Sequence, residues 1–409
     1  MPVIENLTAI DHIYGAFNDR GDLALVLERN STVGGVAANY CLGMVLRATG
    51  GILEGNAGRT VYVLGDPTLG VTGGTDSCDK GRVAANGRDF LFAWPRVNKV
   101  DSTGVIEFAL LDMTTAADGV LRTRATGRGF EAFDVNFSTS ANNIGLCASS
   151  VVGGSGRFWV CAPNLIAEAG QHRDYDILAS LIRFPSTATY PLPLFYAEQT
   201  LATAKVDGAQ ASGYGRIAPI LTERGDGKIF LSYEEFEFAT RGTVATDTGR
   251  AFVKACTPTA NGGLTVYSTA SLAQTSIKMR RPAVQGNLRD SANVSIAWTE
   301  DDVRIKFRNV TETGGVISIS SEISSITGTV FTATPLHTQT TRSVVGVLTD
   351  GADYRIRMKD ASADQIVSTK IDNLRRAATA VYSPVSGTQI AMVLYDTGSA
   401  AYYDPVEVG

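Results

Sequence analysis

Four arginines of this chain stand in the same short context: Arg82 in "RVA", Arg216 in "RIA", Arg281 in "RPA" and Arg376 in "RAA". A guanidinium is a permanent cation whose planar fork of donors grips a carboxylate through two parallel hydrogen bonds. Arg82, Arg216, Arg281 and Arg376 are therefore candidates for holding an anion or another ligand. Corresponding positions elsewhere in the chain carry His12, Asn143 and His337. Acids recur about one strand later, at Glu28, Glu234, Glu235, Glu300, Asp350 and Asp396. Each arginine thus has a second reading, as one half of an ion pair that ties neighbouring strands and fixes their geometry. Both readings stand at this level.

The elements that must position these residues are repeated. Hairpin turns ending in glycine recur, as in "TETGG" at 311–315 and "TANGG" at 259–263, where glycine supplies the positive φ a tight connection needs. Apolar and polar residues alternate on either side, the pattern of half-buried strands. Together these features define a four-strand unit. In its fifth copy the strands are expected at Arg281–Leu288, Val294–Thr299, Val303–Val310 and Val316–Ile323. The last copy has three, at Arg376–Tyr382, Gln389–Tyr395 and Ala400–Val406, and Val3–Thr8 is a surplus strand at the other end. Pairing the surplus strand with the incomplete unit closes a ring and removes two exposed sheet edges.

The expected fold is all-β: one seven-bladed β-propeller of four-stranded antiparallel blades spanning 1–409, closed by residues 2–8. The blades fall at about 10–57, 58–127, 128–197, 212–271, 278–325, 330–373 and 375–409. Two adjacent β-sandwiches are the alternative. At most one helix is expected, over "AEQTLATAKVDGA" at 197–209.

Two segments resemble the sialidase-type propeller family. "GRIAPILTERGDGKIFLSYEE" is similar to that family's Arg-Ile-Pro strand and hairpin, and "VYSPVSGTQIAMVLYD" to its Tyr-Ser segment. The resemblance implies a clamp of Arg216, Arg281 and Arg376 on a carboxylate, with Tyr382 as catalytic nucleophile. The chain departs from the family where its Asp-box should lie, "ATDTGRAF" at 245–252 being the nearest approach.

Other chemistry finds little support. The 5 cysteines and 3 histidines show no ligand spacing, so no metal and no cofactor is expected, and the thiols read as buried and free. "YEEFEF" at 233–238 is a strand end more readily than a cation site, and Trp94, Trp159 and Trp298 are expected in the core rather than stacked on sugars. There is no phosphate loop, dinucleotide fingerprint or nucleophile elbow. A net charge of −5 gives no footprint for nucleic acid. No signal peptide or membrane-crossing apolar run is seen, so the chain is expected to be made in the cytoplasm, without membrane insertion. The functional expectation is a non-enzymatic structural or docking module of a larger assembly, a bacteriophage tail or surface protein incorporated into the virion. Its partners would be other protein subunits and a host-surface glycan. A sialidase-like glycoside hydrolase or glycan-binding propeller is the alternative.

Overall fold

The computed structural model describes residues 3–5, 10–33, 35–49, 52–54, 59–65, 76–78, 80–98, 104–113, 120–122, 132–134, 144–150, 156–169, 172–184, 194–196, 198–203, 213–238, 250–272, 278–337, 342–350, 353–360, 364–371, 376–382, 390–396 and 401–407. Among these every regular element is a β-strand. Predominantly apolar runs such as Leu23–Arg29 and Asn293–Glu300 lie buried on both faces because sheets stack on either side of them.

The strands form antiparallel sheets that run outward in chain order. One sheet orders Ile10–Phe17, Leu23–Arg29, Tyr40–Leu46 and Arg59–Gly65. Another is built on Asp89–Asn98 and Gly104–Asp112, with Arg82–Asn86 on the inner side. Later sheets begin with Met279–Gly286, Val330–His337 and Arg376–Tyr382. The first strand of each unit packs on the first strand of the next, and Arg376–Tyr382 packs on Ile10–Phe17, which closes the ring. In the last sheet Val3–Glu5 pairs antiparallel with Ala401–Glu407, as the surplus strand required. This strand order is that of a β-propeller.

The count of sheets corrects the sequence reading: six sheets of four or more strands, not seven. One of them has nine strands. Within it, Gly145–Ala148, Arg157–Ala169 and His172–Arg183 form one antiparallel group and Gly213–Glu223, Ile229–Phe238, Arg250–Pro258 and Leu264–Ser271 another. A single parallel bridge, Tyr175 to Gly215, fuses the two. The expected helix is also corrected. Gln199–Ala202 is a strand on the edge of His172–Arg183, where Leu201 and Ala202 are buried and the Gln199 side-chain carbonyl accepts the Leu264 N–H. Local helix preference gives way there to an open sheet edge with apolar space behind it.

Cores lie between adjacent sheets. Trp94, Trp159 and Trp298 are fully buried in them. The Trp94 and Trp298 indole N–H groups donate to Glu107 and Glu300, each at 3.2 Å. All five cysteines are buried free thiols.

Candidate functional site around the ring axis

The inner strands enclose a cavity of about 390 Å³. Its wall takes residues from Ile10–Phe17, Arg82–Asn86, Gly145–Ala148, Gly213–Glu223, Met279–Gly286 and Val330–His337, so it lies on the ring axis. Most of the wall is small or apolar, as inner strands converging on an axis require. His12, Arg82, Glu223 and Arg281 are the described lining residues that can carry charge.

Arg82 begins its strand and faces this space. Its guanidinium lies 4.4 Å from the centre of the Tyr14 ring, and one terminal nitrogen stands 3.0 Å from His12 Nε2. The same imidazole nitrogen is 3.2 Å from the Gly81 carbonyl oxygen. Burial lowers the Arg82 pKa from its ordinary value, and Tyr14 opposes that shift. Among the described residues no carboxylate faces this guanidinium.

Arg281 reaches the wall by a different device. Three inner strands carry a bulge near their start, where three steps on the inner strand match two on its neighbour: Ile217 to Ile220, Arg280 to Ala283 and Arg376 to Thr379. Pro219 and Pro282 sit inside two of these bulges, where a residue without an N–H does no harm to the ladder. The residues before them, Ala218 and Arg281, adopt left-handed backbone with φ of 53° and 52°. Both line the cavity.

The bulges correct the alignment of the Arg-x-Ala motif. Register makes Ile217, Arg280 and Arg376 equivalent, so Arg216 stands one residue before that position and Arg281 one residue after it. Along a strand a one-residue offset exchanges the two faces. Arg216, Arg281 and Arg376 are therefore not three copies of one position. Arg216 and Arg376 lie in their expected strands and Tyr382 ends Arg376–Tyr382, but the three side chains fall outside the described ones, as does Asn143. His337, expected to open its strand, closes it.

A residue whose role sequence reasoning did not single out stands behind Arg281. Glu234 is 3% exposed and accepts the Arg281 backbone N–H at 3.2 Å, while its other oxygen is 3.7 Å from Arg280 Nε. Ser232, two residues earlier, donates to the Pro282 carbonyl at 3.0 Å. One strand of the preceding unit thus holds both sides of the bulge. Burial pushes the Glu234 carboxyl up to about 7, and Asp302 adds to this, against the Arg281 N–H and the charges of Arg280 and Arg281. The usable signal in sequence was the proline in "RRPA" and "RIAP", which marks the bulge.

Two further groups are structural. Ser295, His337 and Asp290 form a relay, with Ser295 Oγ 3.2 Å from His337 Nδ1 and His337 Nε2 3.1 Å from Asp290 Oδ2. Ser295 is fully buried within its strand, so no substrate carbonyl can reach it. Cys147 lines the cavity, but burial, then Glu223 and Cys161, push its thiol well up, so it stays protonated.

No protein-family model matches the chain, and no curated protein matches its sequence. Among solved structures it is similar to Trypanosoma rangeli sialidase in complex with the inhibitor DANA, at 11% identity and TM-score 0.44, over 98% of this chain and 54% of that one. It is similar to Penicillium chrysogenum alpha-L-arabinanase at 8% identity and TM-score 0.46, over 100% and 99%. A prolyl endopeptidase gives 12% identity and TM-score 0.48, over 99% and 50%. The chain spans about half the length of the sialidase and of the endopeptidase. The propeller assignment rests on the strand order, and function rests on the cavity.

Proposed function

We propose that the chain is a non-enzymatic binding propeller, a docking module of a larger assembly, whose axial cavity receives a carboxylate-bearing group against Arg82. One observation carries this reading: a half-buried guanidinium on the cavity wall, stacked on Tyr14, with no carboxylate facing it among the described residues. A partly buried cation without a counter-charge is less stable than a paired one, and an anionic ligand offsets that cost. Glycoside hydrolysis commonly needs two carboxyl groups across the scissile bond. The described wall offers Glu223, whose Oε1 already accepts the Ser150 N–H and hydroxyl at 2.7 and 2.6 Å.

The ring is read as a single domain over 1–409, in which the Tyr175–Gly215 bridge joins two strand groups into the nine-stranded sheet. Sequence composition favours a bacteriophage tail or surface protein as the assembly, with other subunits and a host-surface glycan as partners. Among the described residues no helix is long and apolar enough to cross a membrane.

Calorimetric titration with glucuronate and benzoate tests the cavity. Wild type is expected to bind at least one of them, and Arg82→Met to lose about 2 kcal/mol of affinity, roughly thirtyfold, as one charge-assisted contact disappears. Equal affinity in both proteins would remove Arg82 from the site. Turnover of a sialoside by wild type, lost in Tyr382→Phe, would replace the binding reading with a hydrolase.

A further inference from the structure

Glu234 lies directly behind the cavity wall, with Arg281 between it and the space. Its carboxylate is bound to the Arg281 peptide N–H at 3.2 Å and faces the Arg280 guanidinium at 3.7 Å. Along its own sheet the residues opposite are uncharged, Ile217 on one side and Ala251 on the other. Glu235 is its neighbour in the strand, with Arg216 opposite it on one side and Arg250 on the other. From the adjoining sheet, Arg280 and Arg281 face it from Met279–Gly286, and Asp302 faces it from the turn after Asn293–Glu300. Glu234 is thus a buried acid whose nearest charges are the two arginines at the bulge.

Any anion in the cavity and an ionised Glu234 draw on the same positive field from opposite sides. We propose that Glu234 is the protonatable counter-charge of the axial site: an ionised Glu234 offsets the positive field of Arg281 at the cavity wall, and proton uptake on Glu234 removes that offset, so that an anion binds more tightly in mild acid. The inference rests on the carboxylate-binding reading above. It adds a regulator to that site that does not itself touch the ligand. Burial sets the Glu234 carboxyl at about 7, where a change of one pH unit in either direction alters its charge. A neutral carboxyl still accepts the Arg281 N–H through its carbonyl oxygen, so the bulge keeps its geometry while the field changes. Linkage makes the effect reciprocal: an anion that binds better to the protonated form must raise the proton affinity of Glu234.

The test is the dissociation constant of glucuronate, measured calorimetrically from pH 5.5 to 8.5 for wild type, Glu234→Gln and Arg82→Met. Wild type is expected to bind about tenfold tighter at pH 6 than at pH 8, the size of one charge acting across a protein wall. Glu234→Gln, uncharged at every pH, is expected to bind at pH 8 as wild type does at pH 6, without the slope. A slope that survives in Glu234→Gln assigns the proton to another group, His12 foremost, and overturns the proposal. Wild-type binding that is flat with pH overturns it while leaving the carboxylate site standing. Absence of binding at every pH, in wild type and Arg82→Met alike, removes both. Should Glu234→Gln fail to fold, His12→Gln takes its place: a slope kept in His12→Gln supports Glu234, and a slope lost there overturns the proposal. Titration at pH 7 in two buffers of different ionisation enthalpy is expected to show fractional proton uptake on binding, and none would sink the idea.

Discussion

Glu234 costs the folded state something that pH exposes. Its carboxyl goes from 4.5 in the unfolded chain to about 7 in the folded one, so between those values the folded protein holds a proton that the unfolded chain has released. Stability therefore falls as pH rises from about 4.5 to about 7 and is level above that, by an amount on the order of 3 kcal/mol at most. Urea unfolding at pH 5 and pH 8 should show wild type losing stability with the rise, while Glu234→Gln loses markedly less. Asp290 acts with the opposite sign. Burial alone would raise its pKa, but the N–H groups of Ala292 and Asn293, Arg342 and His337 outweigh burial and hold it well below the ordinary carboxylate range. Its contribution is complete above the unfolded value of 3.8 and is lost as pH falls below it. At this scale the sequence showed which residue types could bind an anion, and Arg82 and Arg281 do reach the cavity. It could not show that Arg280, rather than Arg281, carries the side chain paired with Glu234, because register is set by a bulge that residue types alone do not number.

Strand identity was readable because it depends on alternation and turn chemistry, both local. Arg376–Tyr382 was read to the residue, and the glycine turns behave as their positions demand: Gly314 and Gly315 connect Thr313 to Val316 with φ of 60° and 85°. What escaped were features decided between units, such as the strand at Gln199–Ala202 and the Tyr175–Gly215 bridge. Glycine illustrates the difference. Gly314 is needed for its backbone alone, since a Cβ there would meet nothing within 4 Å. Gly286 is needed for space: its N–H donates to Thr222 Oγ1 at 2.7 Å, and a Cβ would overlap the Glu223 carbonyl oxygen of the neighbouring inner strand. Gly314→Ala should cost about 1 kcal/mol, the penalty of a left-handed alanine. Gly286→Ala should cost about 2–3 kcal/mol, because backbone must move to admit the methyl group and the cavity wall moves with it. Thermal unfolding of the two variants compares them, and equal losses would mean that the inner strands are not in contact at Gly286.

Closure of the ring is the property that no single unit possesses. Each sheet shields its neighbours' faces, and the last sheet owes its outer strand to Val3–Glu5, which lies at the far end of the chain from Ala401–Glu407. The register is short, Val3 opposite Tyr402 and Glu5 opposite Ala401, so the pairing energy itself is modest. Its consequence is larger, because it covers an edge whose unpaired N–H and C=O groups would otherwise template pairing with another chain. It also joins the two ends of the sequence, at an entropic cost of closure that grows only slowly with the length of chain between them. The core between them contains Ile10, Ile13, Leu25, Met392 and Leu394, so separation of the sheets would expose apolar surface on both. Deleting residues 1–8 is therefore expected to lower the thermal midpoint by several degrees and to produce concentration-dependent association, visible by light scattering. The association should disappear when Tyr402, the partner of Val3, is replaced by proline, which cannot donate an N–H from that edge. A truncated chain that stays monomeric with an unchanged midpoint would mean that the packing of Arg376–Tyr382 on Ile10–Phe17 closes the ring unaided.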